Sequence, residues 1–110
     1  MSVKTYNKLV RDGIPAIIAA TGAVCETEIL SDTDYLTLLD RKLEEELAEY
    51  LHDQSIEELA DLVEVIYACA AARGCTREEL EAVRAEKAAK RGGFAEKILL
   101  KTVTENDAEE

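Results

Sequence analysis

KLEEELAE at residues 42–49 and ELADLVEVI at residues 58–66 flank a short polar segment, HDQS at residues 52–55. On both sides of this segment apolar residues recur at three- and four-residue steps, which is the period of an amphipathic helix. The polar segment itself is typical of a turn. The pattern therefore predicts a hairpin of two antiparallel helices with its turn at residues 52–55.

Four carboxylates fall in register across this predicted turn. If the turn centres between residues 53 and 54, position 46 lies opposite 61 and position 49 lies opposite 58. Within each helix the three-residue spacing puts both side chains on one face, about 5–6 Å apart at Cβ, and none of the four has Lys or Arg four residues later. Such an oxygen-rich cluster suits Mg²⁺, with Mn²⁺ as an alternative ion. The predicted metal ligands are Glu46, Glu49, Glu58 and Asp61.

The same residues also have a purely structural interpretation. Ser55 followed by Glu58 matches a capping box at a helix start, and 24 acidic residues among 110 produce some such pairs by chance. Asp61 fits this alternative poorly, because aspartate is a weak helix former and lies in the second turn of the helix. For Glu58 the structural and the metal-binding interpretations both stay open.

The remaining segments predict an all-α fold. Pro15 suits the first turn of a short helix, whereas residues 26–30 and 97–103 could form a short two-stranded β element. We expect the hairpin to be completed into a four-helix-type bundle by oligomerisation. The predicted helices are residues 15–20, 31–51, 56–73 and 77–90, within a domain of residues 1–104 that precedes an acidic mobile tail at residues 105–110.

The composition is that of a soluble, helix-rich globular protein. Hydrophobic residues make up 47% and charged residues 34%, with one proline and no tryptophan. No apolar run approaches 18 residues and no signal-peptide core follows Met1, so we expect a cytoplasmic protein without membrane contact. Three cysteines without a CxxC pair favour reduced thiols over a disulfide framework or a zinc site.

Charge is distributed unevenly along the chain. The net charge of −11 disfavours binding to a nucleic acid polymer through a broad phosphate-neutralising surface. Residues 40–64 hold ten acids against two bases, whereas residues 84–101 hold six bases against two acids. The first segment suits a metal ion, and the second suits phosphate groups.

These motifs resemble the EExxE and ExxD signature of the all-α nucleotide pyrophosphohydrolases, the MazG-like and phosphoribosyl-ATP pyrophosphohydrolase group. YNKLVRD at residues 6–12 and KAAKRGGF at residues 87–94 are similar to flanking features of one MazG-like branch, so the similarity covers nearly the whole chain. Two departures stand out. The eight residues between the carboxylate motifs are fewer than in many MazG domains, and Gly13 stands where a basic residue is expected.

The resemblance implies Mg²⁺-dependent hydrolysis of a nucleoside triphosphate between its α and β phosphates, giving a nucleoside monophosphate and pyrophosphate. It also implies a homodimer or a dimer of dimers. The four carboxylates already named would hold the metal, and Glu45 is the extra acid of EExxE. Either Glu45 or Glu64 could accept the proton of the attacking water as the catalytic base. The substrate-binding candidates are Lys8, Arg11, Lys87 and Arg91 for phosphate, and Asp12, which could instead cap the short helix.

Three other functions fit parts of the sequence. Phosphoribosyl-ATP is an alternative substrate, although LVRD and RGGF favour the MazG-like branch. A non-catalytic helical dimer that binds a nucleotide or a protein would bind metal without turnover. Glu49 and His52 form an ExxH pair, as in carboxylate-bridged di-iron bundles, but His52 falls in the predicted turn.

Overall fold

The computed structural model describes residues 2–106, and these residues are all-α, as predicted. The helices are α1 (Ile14–Ala20), α2 (Asp32–Asp53), α3 (Ile56–Ala72) and α4 (Arg77–Arg91). No strand occurs within residues 2–106, so the predicted β element at residues 26–30 and 97–103 is wrong. A two-stranded pair is barely stable without a buried face, and Ile29 and Ile98 are 98% and 83% exposed. None of the described helices is both long and apolar enough to cross a membrane.

The turn between α2 and α3 is formed by Gln54 and Ser55. Gln54 adopts the left-handed conformation, with φ of 57°, and its backbone N–H donates to the carbonyl of Tyr50. Such a residue ends a helix by satisfying a free carbonyl. Ser55 then begins α3, because its Oγ accepts a hydrogen bond from the backbone N–H of Glu58 at 3.2 Å. Helix α2 therefore ends two residues later than predicted, and the turn is short.

Helices α2 and α3 pack against each other and bury a small core. Leu39 is 2% exposed and Val65 is 9% exposed. The apolar side chains around Val65 on α3 are only partly covered. Two helices can each bury one stripe against the other, so a broader apolar face remains open. The apolar residues of α3 that are 36–41% exposed are Leu59, Val63 and Ile66.

The chain divides into two compact units, the first ending at Arg77 and the second beginning at Glu78. In the second unit, α4 carries ion pairs one turn apart, between Arg84 and Glu81 and between Lys90 and Glu86. The helix stops at Gly92, whose φ of 80° favours glycine. Of the expected acidic tail, residues 107–110 lie outside the described part of the chain.

Candidate metal centre

The hairpin brings the four predicted carboxylates into two groups that share Glu58. In the inner group, carboxylate oxygens of Glu46, Glu58 and Asp61 all lie within 4.8 Å of one another. In the outer group, Glu49, Asp53 and Glu58 meet the same limit. The expected pairing of 46 with 61 and of 49 with 58 therefore holds, because a short turn fixes the register of the two helices.

Asp53 belongs to the outer group but was not predicted as a site residue. The sequence did carry a signal for it, since Asp53 follows Glu49 by four residues and therefore shares its helix face. Its place at the centre of the predicted turn conceals this signal. Because α2 continues through Asp53, that carboxylate stays in helical register beside Glu49.

The inner group is the stronger metal candidate of the two. Glu46 is only 9% exposed, and Glu58 and Asp61 are half-buried, whereas Glu49 and Asp53 are exposed. Exposed acidic residues commonly cluster without any ion, because water solvates them. A carboxylate withdrawn from water instead needs a positive partner or a hydrogen-bond donor. The donor chemistry of the inner group, three carboxylates, fits a hard divalent cation.

In the structure, side-chain cations partly neutralise the inner group. Lys42 lies one turn before Glu46 on α2, and its Nζ is 3.4 Å from Glu46 Oε1. Arg11 reaches α3 from the irregular segment that precedes α1, and its Nη2 is 2.6 Å from Asp61 Oδ1. The predicted phosphate contact Arg11 therefore does lie at the carboxylate cluster. Its partner in this structure is a carboxylate.

The electrostatics of Glu58 indicate excess negative charge at the point where the two groups meet. Its pKa is raised above the ordinary value, first by desolvation and then by the negative charges of Glu49, Asp53 and Asp61. A cation at this position would reverse the effect. The structure supports a part of each interpretation of Glu58. Its backbone N–H donates to Ser55 Oγ, which is one hydrogen bond of a capping box, and its carboxylate belongs to both groups.

The two candidate catalytic bases occupy different surroundings. Desolvation alone would raise the pKa of Glu45, but hydrogen bonds and charge from Lys8 and Lys42 outweigh it and hold that pKa below its usual value. Lys8 Nζ is 3.2 Å and Lys42 Nζ is 3.4 Å from Glu45 Oε1. Glu64 is 48% exposed and pairs with Arg77 at 3.7 Å. Neither glutamate belongs to the carboxylate groups found among the described residues.

The remaining candidates are Lys87, Arg91, Asp12 and the alternative iron ligand His52. Lys87 and Arg91 are exposed on α4, in the second compact unit. Asp12 does not cap α1, since Gly13 is the N-cap and no side chain bonds there. His52 Nδ1 donates a hydrogen bond to Asp53 Oδ1 across 2.6 Å, and this hydrogen bond is the main reason that the pKa of His52 is raised. His52 is not a member of either carboxylate group.

Comparison with known proteins gives one partial likeness. The chain is 50% identical over 42 residues to a protein of Mycolicibacterium smegmatis described as an uncharacterized protein. This match covers 38% of the chain and 43% of that protein's length. No protein-family model and no solved structure matches the chain.

Proposed function

We propose that this protein is a Mg²⁺-dependent nucleoside triphosphate pyrophosphohydrolase of the MazG-like kind, which cleaves between the α and β phosphates. The observation that carries the proposal is the approach of Glu46, Glu58 and Asp61 to within 4.8 Å of one another, with Glu46 withdrawn from solvent. Repulsion among three carboxylates makes such an arrangement costly, and Lys42 and Arg11 offset the repulsion only in part. The EExxE and ExxD motifs supply these residues at positions that pair across a short turn.

The inner group would hold the cation, with Glu49 as the fourth ligand at its exposed edge. A bound Mg²⁺ would neutralise charge on phosphate oxygens and lower the pKa of a coordinated water. All the donors are carboxylate oxygens, which Mg²⁺ accepts together with water and substrate phosphate. Mn²⁺ accepts the same donors, and it would substitute for Mg²⁺ in this site.

Residues of the chain itself would orient the substrate and accept a proton. Arg11 is 55% exposed, so its guanidinium can exchange Asp61 for a phosphate and bind two of its oxygens at once. Glu45 is the better placed of the two candidate bases, since Lys42 contacts both Glu45 and Glu46. Its lowered pKa keeps it ionised near neutral pH, and displacement of Lys8 by a phosphate would make it more basic.

A second copy of the chain would complete the hairpin. The apolar stripe of α2 and α3 is only partly covered within one chain, and an apolar face of this kind usually packs against another element. We infer a homodimer in which two hairpins form a four-helix bundle, with a dimer of dimers as the larger form. Partly exposed apolar residues of the hairpin are Leu47, Leu51, Ile56, Leu59, Val63 and Ile66.

A product-resolved screen tests the proposal. Purified protein is incubated with a panel of nucleoside triphosphates and phosphoribosyl-ATP, with Mg²⁺ and then with Mn²⁺, and the products are separated by ion-exchange chromatography. We expect a nucleoside monophosphate and pyrophosphate in equal amounts from at least one triphosphate. Orthophosphate as the sole product, or metal binding without any turnover, would contradict the proposed activity.

A further inference from the structure

A cleft of about 180 Å³ lies beside the carboxylate cluster, between α2 and the irregular segment that precedes α1. Its position follows from the chain path, since the segment that delivers Arg11 to α3 also crosses α2. The cleft and the inner carboxylate group are neighbours, because Lys42 lines the cleft and contacts Glu46 at 3.4 Å. The lining residues are Asn7, Lys8, Leu9, Leu38, Arg41, Lys42 and Glu45.

The charge of this cleft is opposite to that of the hairpin around it. Three of the lining residues are cations and one is an anion, and two of the cations, Arg41 and Lys42, are the two bases of the acidic segment 40–64. Lys8 and Lys42 are both engaged with Glu45. Arg41 is different, since no ion pair involves it among residues 2–106. Arg41 lies in the segment 40–64, which contains ten acidic residues, and yet its guanidinium is in no ion pair within the described part of the chain. Its five N–H donors are therefore available to an incoming anion.

The size of the cleft limits what it can accept. Clefts that enclose a drug-sized molecule measure roughly 300–1,000 Å³, so about 180 Å³ is too small for a whole nucleotide. The lining contains no aromatic side chain on which a base could stack. A compact anion with several oxygens, such as one or two phosphate groups, matches both the volume and the charge.

We infer that this cleft is the subsite for the terminal phosphates of the substrate, and that Arg41 is its principal anion-binding residue. The inference rests on the proposed function for the identity of the ligand, because a triphosphate that reaches the metal site through its inner phosphates must place its outer phosphates nearby. One helical turn, about 5.4 Å, separates Lys42 from Glu46. Lys8 and Lys42 assist by releasing Glu45 and turning to the anion, and Arg41 supplies a fork that binds two oxygens.

The test uses inorganic pyrophosphate as the probe, without added metal, and isothermal titration calorimetry on the full chain. We expect Arg41→Ala to weaken pyrophosphate binding about tenfold, since a charge-assisted hydrogen bond is lost. Arg41→Lys keeps the positive charge but cannot bind two oxygens at once. Its affinity for pyrophosphate should therefore lie between those of the wild type and of Arg41→Ala. Arg73→Ala is the matched control, because Arg73 is also exposed but contacts Asp40 and the Cys69 carbonyl. Circular dichroism verifies that each variant remains helical.

Pyrophosphate affinity and nucleotide turnover are measured in separate experiments. The proposal of a subsite can therefore be refuted without refuting the proposed enzyme activity, and the reverse is also true. If the wild type binds pyrophosphate and Arg41→Ala weakens that binding while Arg73→Ala does not, the cleft is an anion-binding site that depends on Arg41. This result holds even where no nucleotide is hydrolysed, and in that case only the identity of the ligand fails, together with the proposed function. If nucleotide is hydrolysed but Arg41→Ala leaves both KM and pyrophosphate affinity unchanged, the subsite is overturned and the activity is retained. Absence of pyrophosphate binding to the wild type also overturns the subsite.

Discussion

Replacement of Asp61 by asparagine tests whether Asp61 is a metal ligand or a structural residue. Asparagine keeps the size of the side chain but removes the charge, so the helix need not repack. The residue loses its contact with Arg11, whose side chain is 55% exposed while that of Asp61 is 42% exposed. Ion pairs this accessible contribute about 0–1 kcal/mol. The change also removes one of the charges that raise the pKa of Glu58. We therefore expect the metal-free unfolding free energy to change by less than about 1 kcal/mol.

The metal dependence of stability should change much more. A ligand at tenfold excess over its Kd stabilises the folded state by about 1.4 kcal/mol. The wild type should gain about this much in Mg²⁺ at that excess. Asp61→Asn should gain almost nothing at the same concentration, because one of the three proposed inner ligands is gone. Urea unfolding followed by circular dichroism, with and without Mg²⁺, measures both quantities. Turnover of the nucleotide found in the product screen should be lost in parallel.

The matched control is Asp40→Asn, on the same helical hairpin. The side chain of Asp40 is 61% exposed. Among residues 2–106 its ion-pair partner is the exposed Arg73, at 3.8 Å. This control should keep the Mg²⁺ stabilisation and the turnover of the wild type. If Asp61→Asn also keeps them, Asp61 is not a metal ligand and the proposed site is refuted. If Asp61→Asn unfolds without metal, Asp61 has a structural role that its exposed ion pair does not explain.

Further predictions concern assembly, the core and pH. Val63→Glu should convert a dimer to a monomer by placing charge on the open apolar stripe, while Val83→Glu on α4 should not, as measured by light scattering after size-exclusion chromatography. Leu39→Ala should cost about 2–5 kcal/mol because Leu39 is buried, while Val83→Ala, at an exposed position of α4, should cost under about 1 kcal/mol, as measured by urea unfolding. Because the pKa of Glu58 is raised on folding, its ionisation destabilises the metal-free protein as pH rises through that pKa. Glu58→Gln should therefore be more stable than the wild type near pH 7 and lose this advantage below pH ~4, where unfolding titrations in the absence of metal should show equal stability.

The hairpin and its carboxylate register were predictable because both depend on local features of the sequence. Apolar periodicity locates α2 and α3, and the serine at position 55 caps α3 through its own side chain. Once a turn of two residues connects two helices, the pairing of Glu46 with Asp61 follows from counting. No long-range information is needed for either step.

The contacts made by the segment before α1 could not be predicted in this way. Arg11 meets Asp61 across 50 positions of sequence, and Lys8 meets Glu45 across 37. The segment has no periodicity that fixes its path, and its backbone takes a left-handed conformation at Asn7, where φ is 49°. The expectation of strands failed for a related reason. A strand is defined by its partner, and β propensity alone does not supply one.

Lys42 and Arg11 form ion pairs with carboxylates of the inner group, whose charge the proposed metal ion would also neutralise. Without any cation, Glu46, Glu58 and Asp61 would repel and push the hairpin apart, and the small core around Leu39 and Val65 resists this poorly. Lys42 and Arg11 reduce that repulsion in the folded protein. Both side chains are long and flexible, so each can turn from a carboxylate to a phosphate when metal and substrate arrive together. If the proposed function is correct, these two residues would stabilise the carboxylate group before a ligand binds and would contact the ligand afterwards. Removing Arg11 should then weaken nucleotide binding more than Mg²⁺ binding.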